Sequence, residues 1–219
     1  GTSPGNDIKL TTTRLEAGRN FANKLWNATR FAIRSIEANR TIKQIQWDSL
    51  SIEDRWILNR LSRTISSVTS LMADFQFGEA QRQIHEFLKS EFCDWYIELA
   101  KIRLRSNAEG VLSPITVLVY VLEISLRLLH PYMPFVTEEL WQNLKRHLSS
   151  DWQAGESIMV AAYPEADAQA VDPEAERVME SVIEIIRSIR NTRVQNNVES
   201  GCWIEAQIYG GQLTPAIAP

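Results

Sequence analysis

The sequence predicts a mainly α-helical protein, in which an antiparallel up-down helix bundle is followed by a small α/β unit. Two observations support the bundle. Apolar residues recur at spacings of three and four as far as about residue 148, a period typical of amphipathic helices. The connections between these segments are short, which favours antiparallel packing of consecutive helices. The 219 residues suffice for one large domain or two unequal ones.

The first predicted helix begins at Thr12 or Thr13 and ends at about Ser35. Thr13 and Glu16 are spaced as in a capping box, where each side chain bonds the backbone N–H of the other residue. Helical spacing places the small and apolar residues of this segment in one buried stripe. These residues are Leu15, Gly18, Phe21, Ala22, Leu25, Ala32 and Ile36. A polar loop is expected over residues 37–50.

Four more helices are predicted before residue 148, and local start and stop signals set their bounds. Ser51 with Asp54 three residues later marks one start, and Ser113 followed by Pro114 marks another. Pro131 ends the helix before it, because proline disfavours helical geometry in the preceding residue. The four helices are expected from residue 51 to a tight connection at 76–78, over 79–105, over 113–129 and over 135–147.

The pattern changes after residue 149. Residues 157–161 predict a short strand, and residues 202–209 alternate between apolar and polar side chains as a second strand. Between them, Asp172-Pro173 is expected to cap a helix that runs to about Val194. We therefore expect a linker over residues 1–10, the helix bundle over 11–148 and the small α/β unit over 149–219.

Composition excludes several classes of protein. Cys93 and Cys202 lie 109 positions apart and form no CxxC motif, which argues against a disulfide scaffold or zinc site and favours the cytoplasm. No apolar run approaches the roughly 20 residues that a bilayer requires, so no membrane partner is expected. Three histidines without metal-site spacing, and the lack of a glycine-rich phosphate loop, predict a segment that is not catalytic and holds no metal or cofactor.

Charge is unevenly distributed along the chain. The formal net charge is −4, yet residues 1–43 carry eight Lys or Arg against three acidic residues. A local basic stretch can attract a polyanion even when the whole protein is acidic, since salt screens distant charges. A solvated helix face would have the same composition, so charge alone leaves both interpretations open.

A helical projection of the first helix separates two faces. At about 100° per residue, Lys24 and Phe31 lie together and away from the predicted buried stripe, on the side that carries Asn20, Asn27 and Arg34. Unstacked RNA bases need a ring for stacking, amides for base edges and cations for phosphates. The alternative is that Phe31 packs against a neighbouring helix while the cations are solvated.

Four segments carry recognisable motifs: RNFANKLWNATRF at 19–31, DRWIL at 54–58, EFCDWYIELAK at 91–101 and LLHPYMPFVTEELW at 128–141. In this order and spacing they resemble the anticodon-binding domain of valyl-tRNA synthetases. The fourth motif resembles a stretch that class I relatives share. The resemblance is strong over residues 1–165 and looser over 172–209, and it implies that the bundle grips the anticodon of a valine tRNA.

The resemblance also implies a larger parent enzyme, expected to be a monomer that joins valine to its tRNA with ATP and Mg²⁺. Its catalytic domain would precede this chain in the same polypeptide, and a coiled-coil arm would follow it. Within this family, Phe31 matches the aromatic residue on which an anticodon base stacks. Lys24 matches a phosphate or base contact, and Ile97 matches an apolar contact to a base.

Other positions depart from the family pattern or allow two roles. Some relatives carry an anticodon-reading arginine where this chain has Thr13; Arg14 is the candidate replacement, although it projects near the buried stripe. Asp94 could bond a partner between helices or bond a base. A basic ridge on the later helix could contact the tRNA body or the catalytic domain. It consists of Arg187, Arg190 and Arg193.

Two alternatives remain open. One is the equivalent domain of an isoleucyl or leucyl enzyme, although residues 23–27 and 92–96 favour the valyl family. The other is a protein-interaction bundle whose exposed aromatic side chains dock a partner helix. RNA binding would fall steeply with salt, whereas apolar docking would not.

Overall fold

The computed structural model describes residues 11–39, 42, 44–106, 114–148, 155–199 and 201–207. In these ranges the regular structure is helical. The α-helices are α1 (Thr12–Asn39), α2 (Ile52–Ala73), α3 (Phe77–Glu86), α4 (Ile97–Ser106), α5 (Pro114–Leu129), α6 (Pro134–Lys145) and α7 (Pro173–Gln195). A π-helical segment, Phe87–Tyr96, joins α3 directly to α4, so that residues 77–106 form one continuous rod. The chain divides into two compact units, Gly1–Val171 and Asp172–Pro219.

The first unit is the predicted helix bundle. Side-chain bonds show that α2 runs antiparallel to the rod, because Arg60 bonds Glu91 while the earlier residue Asp54 bonds the later residue Arg103. In contrast, α1 runs parallel to the rod, because later residues of α1 contact later residues of the rod. These contacts are Phe21 with His85, Lys24 with Asp94 and Phe31 with Lys101. The up-down order of the first three long helical segments is therefore confirmed.

α1 begins at Thr12, as predicted, but its capping interaction differs from the prediction. The backbone N–H of Arg14 donates to Thr11 Oγ1 at 3.3 Å, so Thr11 contributes a side-chain cap, in place of the predicted pairing of Thr13 with Glu16. Residues 11–20 are exposed, and Leu15 keeps 57% of its surface. The predicted stripe is therefore wrong in the first two turns, at Leu15 and Gly18. From Phe21 onward it is correct for Phe21, Leu25, Ala32 and Ile36, which are buried, whereas Ala22 is only partly buried.

A buried polar network ties the start of α2 to the rod. Ser51 caps α2 by accepting from the backbone N–H of Asp54, which confirms the predicted start. The fully buried Asp54 Oδ1 accepts from Tyr96 Oη at 2.6 Å and from Arg103 Nη1 at 2.7 Å. Burial, together with the Asp54 carboxylate, raises the pKa of Tyr96 well above its usual value, which keeps this hydroxyl protonated as a donor. The network fixes the rotation of the rod against α2.

The rod contains a π segment that the sequence analysis did not predict. The expected single helix over residues 79–105 is present, yet its middle ten residues adopt π-helical geometry. Long π segments are rare, and π-bulges occur frequently at functional sites. The buried face of this segment includes Phe92, Cys93 and Trp95.

Residues 157–161 do not form the predicted strand. Ile158–Val160 is a 3₁₀ turn that begins at Ser157, whose side chain accepts from the backbone N–H of Met159. A strand requires a neighbour to pair its backbone groups. Here the N–H of Ile158 instead donates to the Glu138 carboxylate on α6 at 3.1 Å, so a side chain satisfies it.

The boundary between the units also differs from the prediction. Residues 155–171 belong to the first unit, because Arg127 Nη1 on α5 donates to the carbonyl of Ala162 and Ser62 Oγ on α2 donates to that of Asp167, each at 2.8 Å. The second unit therefore begins after Val171, and not at residue 149.

The second unit contains α7, whose predicted start is confirmed. The side chain of Asp172 accepts from the backbone N–H of Ala175 at 2.9 Å, and Pro173 occupies the first helical position. Residues 202–207 are not in a strand, so the predicted α/β character is wrong for the part of this unit that the structure describes; residues 208 and 209 lie outside it. No helix in the described ranges combines the length and apolar character that crossing a membrane demands.

Candidate nucleic-acid interface

The candidate interface lies where α1 meets the C-terminal half of the rod. We call this surface the seam and define it by five residues: Lys24, Phe31, Asp94, Glu98 and Lys101. The first two lie seven residues apart on α1, so they are two turns apart on one side of the helix. Their partners on the rod, Asp94 and Lys101, are also seven residues apart. Because α1 and the rod run parallel, Asp94 lies opposite Lys24 and Lys101 lies opposite Phe31.

Phe31 is the aromatic residue of the seam. Its side chain is partly exposed, whereas the neighbouring Ala28 and Ala32 are buried in the bundle. Its ring is therefore supported by the fold without being enclosed by it. Lys101 Nζ lies 5.5 Å from the ring centroid, within the range of a cation–π contact. The ring thus offers a π surface next to a positive charge.

Two ion pairs flank the ring. Lys24 Nζ donates to Asp94 Oδ1 at 2.5 Å, with the lysine side chain 31% and the aspartate 53% exposed. Lys101 Nζ donates to Glu98 Oε1 at 2.6 Å within one turn of α4. Of the two roles open to Asp94, the structure shows the bond between helices, and a base contact remains a prediction. Neither pair is buried, so a ligand in solution can reach both lysines.

The polar residues predicted on the outer side of α1 are exposed. Asn20, Asn27 and Arg34 all face solvent, where amides and a guanidinium can meet base edges and phosphates. Arg14 is also exposed, because it lies in the uncovered first turn. The prediction that it faces a buried stripe is therefore wrong. Its suggested role as a replacement for the arginine missing at Thr13 remains a prediction.

Ile97 was predicted to make an apolar contact to a base, but it is buried in the structure. Its side chain is only 5% exposed, so most of it is unavailable to a base. The structure instead places two residues at the seam that sequence analysis missed, Lys101 and Glu98. A signal was present in the sequence, since Lys101 follows Asp94 by the same seven residues that separate Phe31 from Lys24.

The second unit carries the predicted arginine ridge. Arg187 and Arg190 are exposed on α7. Arg193 is partly buried, and its Nη2 donates to the carbonyl of Glu199 at 2.5 Å. That bond ties the C-terminal turn of α7 to the chain that follows it, so Arg193 has a structural role. The predicted contact of the ridge with RNA remains a prediction.

Burial shifts the pKa of two titratable groups near the seam, Cys93 and His85. Burial raises the pKa of the Cys93 thiol to about 12, which keeps it protonated and unreactive. Burial, with the nearby Lys89 and Lys24 cations, lowers the pKa of His85, so its ring is neutral at pH 7 and packs on Phe21 at 4.2 Å. Neither side chain therefore adds charge beside the seam at pH 7.

A separate surface cleft lies between α2 and the first half of the rod, with a volume of about 290 Å³. Arginine and glutamate side chains line it, and among these Arg60 makes a two-pronged bond to Glu91 with both distances at 2.7 Å. Arg82 is bonded in the same way to Glu79. These carboxylates offset most of the positive charge of the cleft, as Asp94 and Glu98 do at the seam.

Comparison with known families identifies most of the chain. The family model described as the anticodon-binding domain of tRNA ligase matches residues 54–208. This match starts at α2 and does not include Lys24 and Phe31 on α1. Full-length relatives do cover α1, and the resemblance there rests on them.

The matching relatives are valine–tRNA ligases. One from Dehalococcoides mccartyi strain CBDB1 is 53% identical over 99% of this chain, and one from Carboxydothermus hydrogenoformans is 44% identical over 90%. A third, from Thermotoga maritima, is 40% identical over 96% of the chain. The chain spans only about a quarter of the length of these proteins, 24%, 22% and 23% respectively.

A solved structure shares the fold. It is that of a ternary complex of LeuRS, tRNA and LeuAMS from Agrobacterium radiobacter K84, which superposes with a TM-score of 0.53 at 21% sequence identity. The similarity covers 75% of this chain and 18% of that protein. At this level of identity the match supports the helical architecture alone.

Proposed function

Because this chain belongs to the family of anticodon-binding domains of tRNA ligases, we propose that it recognises the anticodon of a valine tRNA. Relatives that are 40–53% identical over nearly all of the chain are valine–tRNA ligases. This supports valine over isoleucine or leucine as the amino acid of the parent enzyme. The function of the segment is then binding, and it positions the tRNA for a reaction that occurs elsewhere in the polypeptide.

The observation that carries the proposal is the partly exposed ring of Phe31 beside the ammonium group of Lys101. Sequence-specific RNA recognition targets single-stranded loops, whose unstacked bases can stack on aromatic side chains. Each stacked base contributes about 1–3 kcal/mol by alanine substitution. A solvent-accessible ring that the bundle supports from behind meets this requirement.

The charged and amide side chains around the ring supply the other contacts. Lys24 and Lys101 are within reach of solvent and can bind phosphates of the loop. Asn20 and Asn27 can donate to and accept from base edges, while Arg34 can bind a further phosphate. In valine tRNAs the last two anticodon bases, A and C, are the proposed targets.

The catalytic chemistry is proposed for the remaining three quarters of the parent enzyme. ATP and Mg²⁺ would act there to activate valine, while this segment contributes no group to bond making or breaking. The parent is proposed to be a cytoplasmic monomer in which the catalytic domain and the bundle belong to one polypeptide.

Titration of the full-length enzyme with RNA tests the proposal. The ligands are valine tRNA and a copy with an altered anticodon, each at two ionic strengths. Tighter binding of valine tRNA, with affinity that falls steeply as salt rises, supports anticodon recognition through phosphate contacts. Equal affinity for both RNAs refutes it. Affinity that does not change with salt indicates an apolar protein-docking bundle. A separate charging assay tests the related enzymes, since preferential charging of isoleucine or leucine tRNA would indicate one of them.

A further inference from the structure

Both lysines of the seam are engaged by carboxylates on the rod. Lys24 reaches across from α1 to Asp94, and Lys101 bonds Glu98 one turn earlier on its own helix. The carboxylates are the more exposed member of each pair, at 53% and 58%. Each lysine is therefore already paired with an anion when a phosphate approaches. The phosphate also approaches the more exposed carboxylate before it reaches the lysine.

Lys101 has a second partner, because its ammonium lies 5.5 Å from the centroid of the Phe31 ring. A base that stacks on that side of the ring must take the place of the ammonium. Stacking and phosphate binding are therefore linked through Lys101, which contacts both the ring and the Glu98 carboxylate. Phosphate oxygens and carboxylate oxygens are equivalent acceptors for an ammonium donor, so the lysine can exchange one for the other.

We propose that Asp94 and Glu98 compete with RNA phosphates for Lys24 and Lys101. In the RNA-free protein the carboxylates hold both lysines, and binding of an anticodon loop exchanges each ion pair for a lysine–phosphate pair. The carboxylates thereby weaken RNA binding at the seam and favour release of the tRNA. This inference rests on the proposed function, since it assigns a regulatory role within the same site.

Neutralising the carboxylates should change the RNA affinity in opposite directions for the two roles, competition with phosphate and recognition of a base. If Asp94 and Glu98 compete with phosphate, neutralising them tightens binding of valine tRNA and of an anticodon-altered copy alike, since phosphates are common to both. If either carboxylate accepts from a base, neutralising it weakens binding of valine tRNA alone. One pair of measurements separates these outcomes.

The test uses Asp94→Asn, Glu98→Gln and the double variant in the full-length enzyme, with dissociation constants measured for both RNAs across a salt series. We expect the double variant to bind both RNAs about three- to tenfold more tightly at low salt, since exposed ion pairs are individually weak. The slope of log Kd against log salt should stay close to that of the unaltered enzyme, because the same two lysine–phosphate pairs form in both complexes.

Glu79→Gln is the matched control. Glu79 forms an ion pair with Arg82 of the same i,i+3 spacing as the pair of Lys101 with Glu98, in the first turn of the same rod, and its loss changes the net charge by one unit, as either single seam variant does. It should leave both dissociation constants unchanged. An equal gain from this control shows a general charge effect and overturns the proposal, as does weaker binding of valine tRNA by the seam variants. If the unaltered enzyme fails to distinguish the two RNAs, the proposed function itself fails, and the inference with it.

Discussion

Replacing Phe31 with alanine should separate tRNA charging from valine activation. The substitution removes the ring that is partly exposed at the seam and leaves α1 intact, because alanine is the strongest helix former. Loss of one stacking ring costs about 1–3 kcal/mol. With 1.4 kcal/mol per factor of ten, kcat/KM for valine tRNA should fall by a factor of about 5 to 140.

The assay compares two reactions of the full-length enzyme. Charging of valine tRNA reports on the seam, whereas valine-dependent exchange of pyrophosphate into ATP proceeds without tRNA and should stay within about twofold. Phe135→Ala is the matched control, since Phe135 is 91% exposed on α6 and lies outside the seam. Equal losses in both reactions, or an equal charging defect in the control, would refute a specific role for the Phe31 ring.

Three further predictions concern other parts of the chain. Asp54→Ala should lower the free energy of unfolding, measured in urea, by about 3–5 kcal/mol, because it removes the fully buried carboxylate to which Tyr96 and Arg103 both donate. Lys24→Met should reduce the salt dependence of tRNA binding by about 0.7–0.9 in log–log slope, through loss of one phosphate contact. Iodoacetamide at pH 8 should modify the exposed Cys202 and spare Cys93, because a pKa of about 12 leaves almost no thiolate at that position until the pH approaches 12.

Each of these has a contradicting result. A loss below about 1 kcal/mol for Asp54→Ala would show that its network is no stronger than an exposed ion pair. An equal change in slope from Arg82→Met, at the far end of the rod, would show that Lys24 acts only through net charge. Equal labelling of both cysteines in the folded protein, mapped by mass spectrometry, would show that Cys93 is accessible.

Helix starts were predictable because their signals are local. Ser51 and Asp172 each cap the helix that follows through a side chain that accepts from a backbone N–H three residues later. The strand predicted at residues 157–161 failed because its backbone partner is a distant side chain, Glu138, which a local pattern does not contain. The exposed Leu15 has a similar explanation. Periodicity predicts which side of α1 is apolar, but it does not predict where along α1 the other helices stop covering that side.

The seam was predictable on one side only. A projection of α1 at 100° per residue was sufficient to place Lys24 and Phe31 together, because α1 is a regular helix. The rod contains ten π-helical residues just before Ile97, and these change the rotation per residue. A regular projection would therefore misplace the residues that follow, Lys101 among them. Ile97 was expected at the surface from the family resemblance, which does not show that this residue is buried here.

Site-specific crosslinking tests most directly whether the anticodon loop binds at the seam. Asn27 lies on the exposed side of α1 between Lys24 and Phe31, so Asn27→p-benzoylphenylalanine places a photoreactive group within reach of a bound loop. In the full-length enzyme with valine tRNA, the crosslink should map to the anticodon nucleotides, and Phe31→Ala should reduce its yield. A crosslink that maps to the acceptor stem or D-arm, or one that an RNA without an anticodon loop forms equally well, would contradict the account.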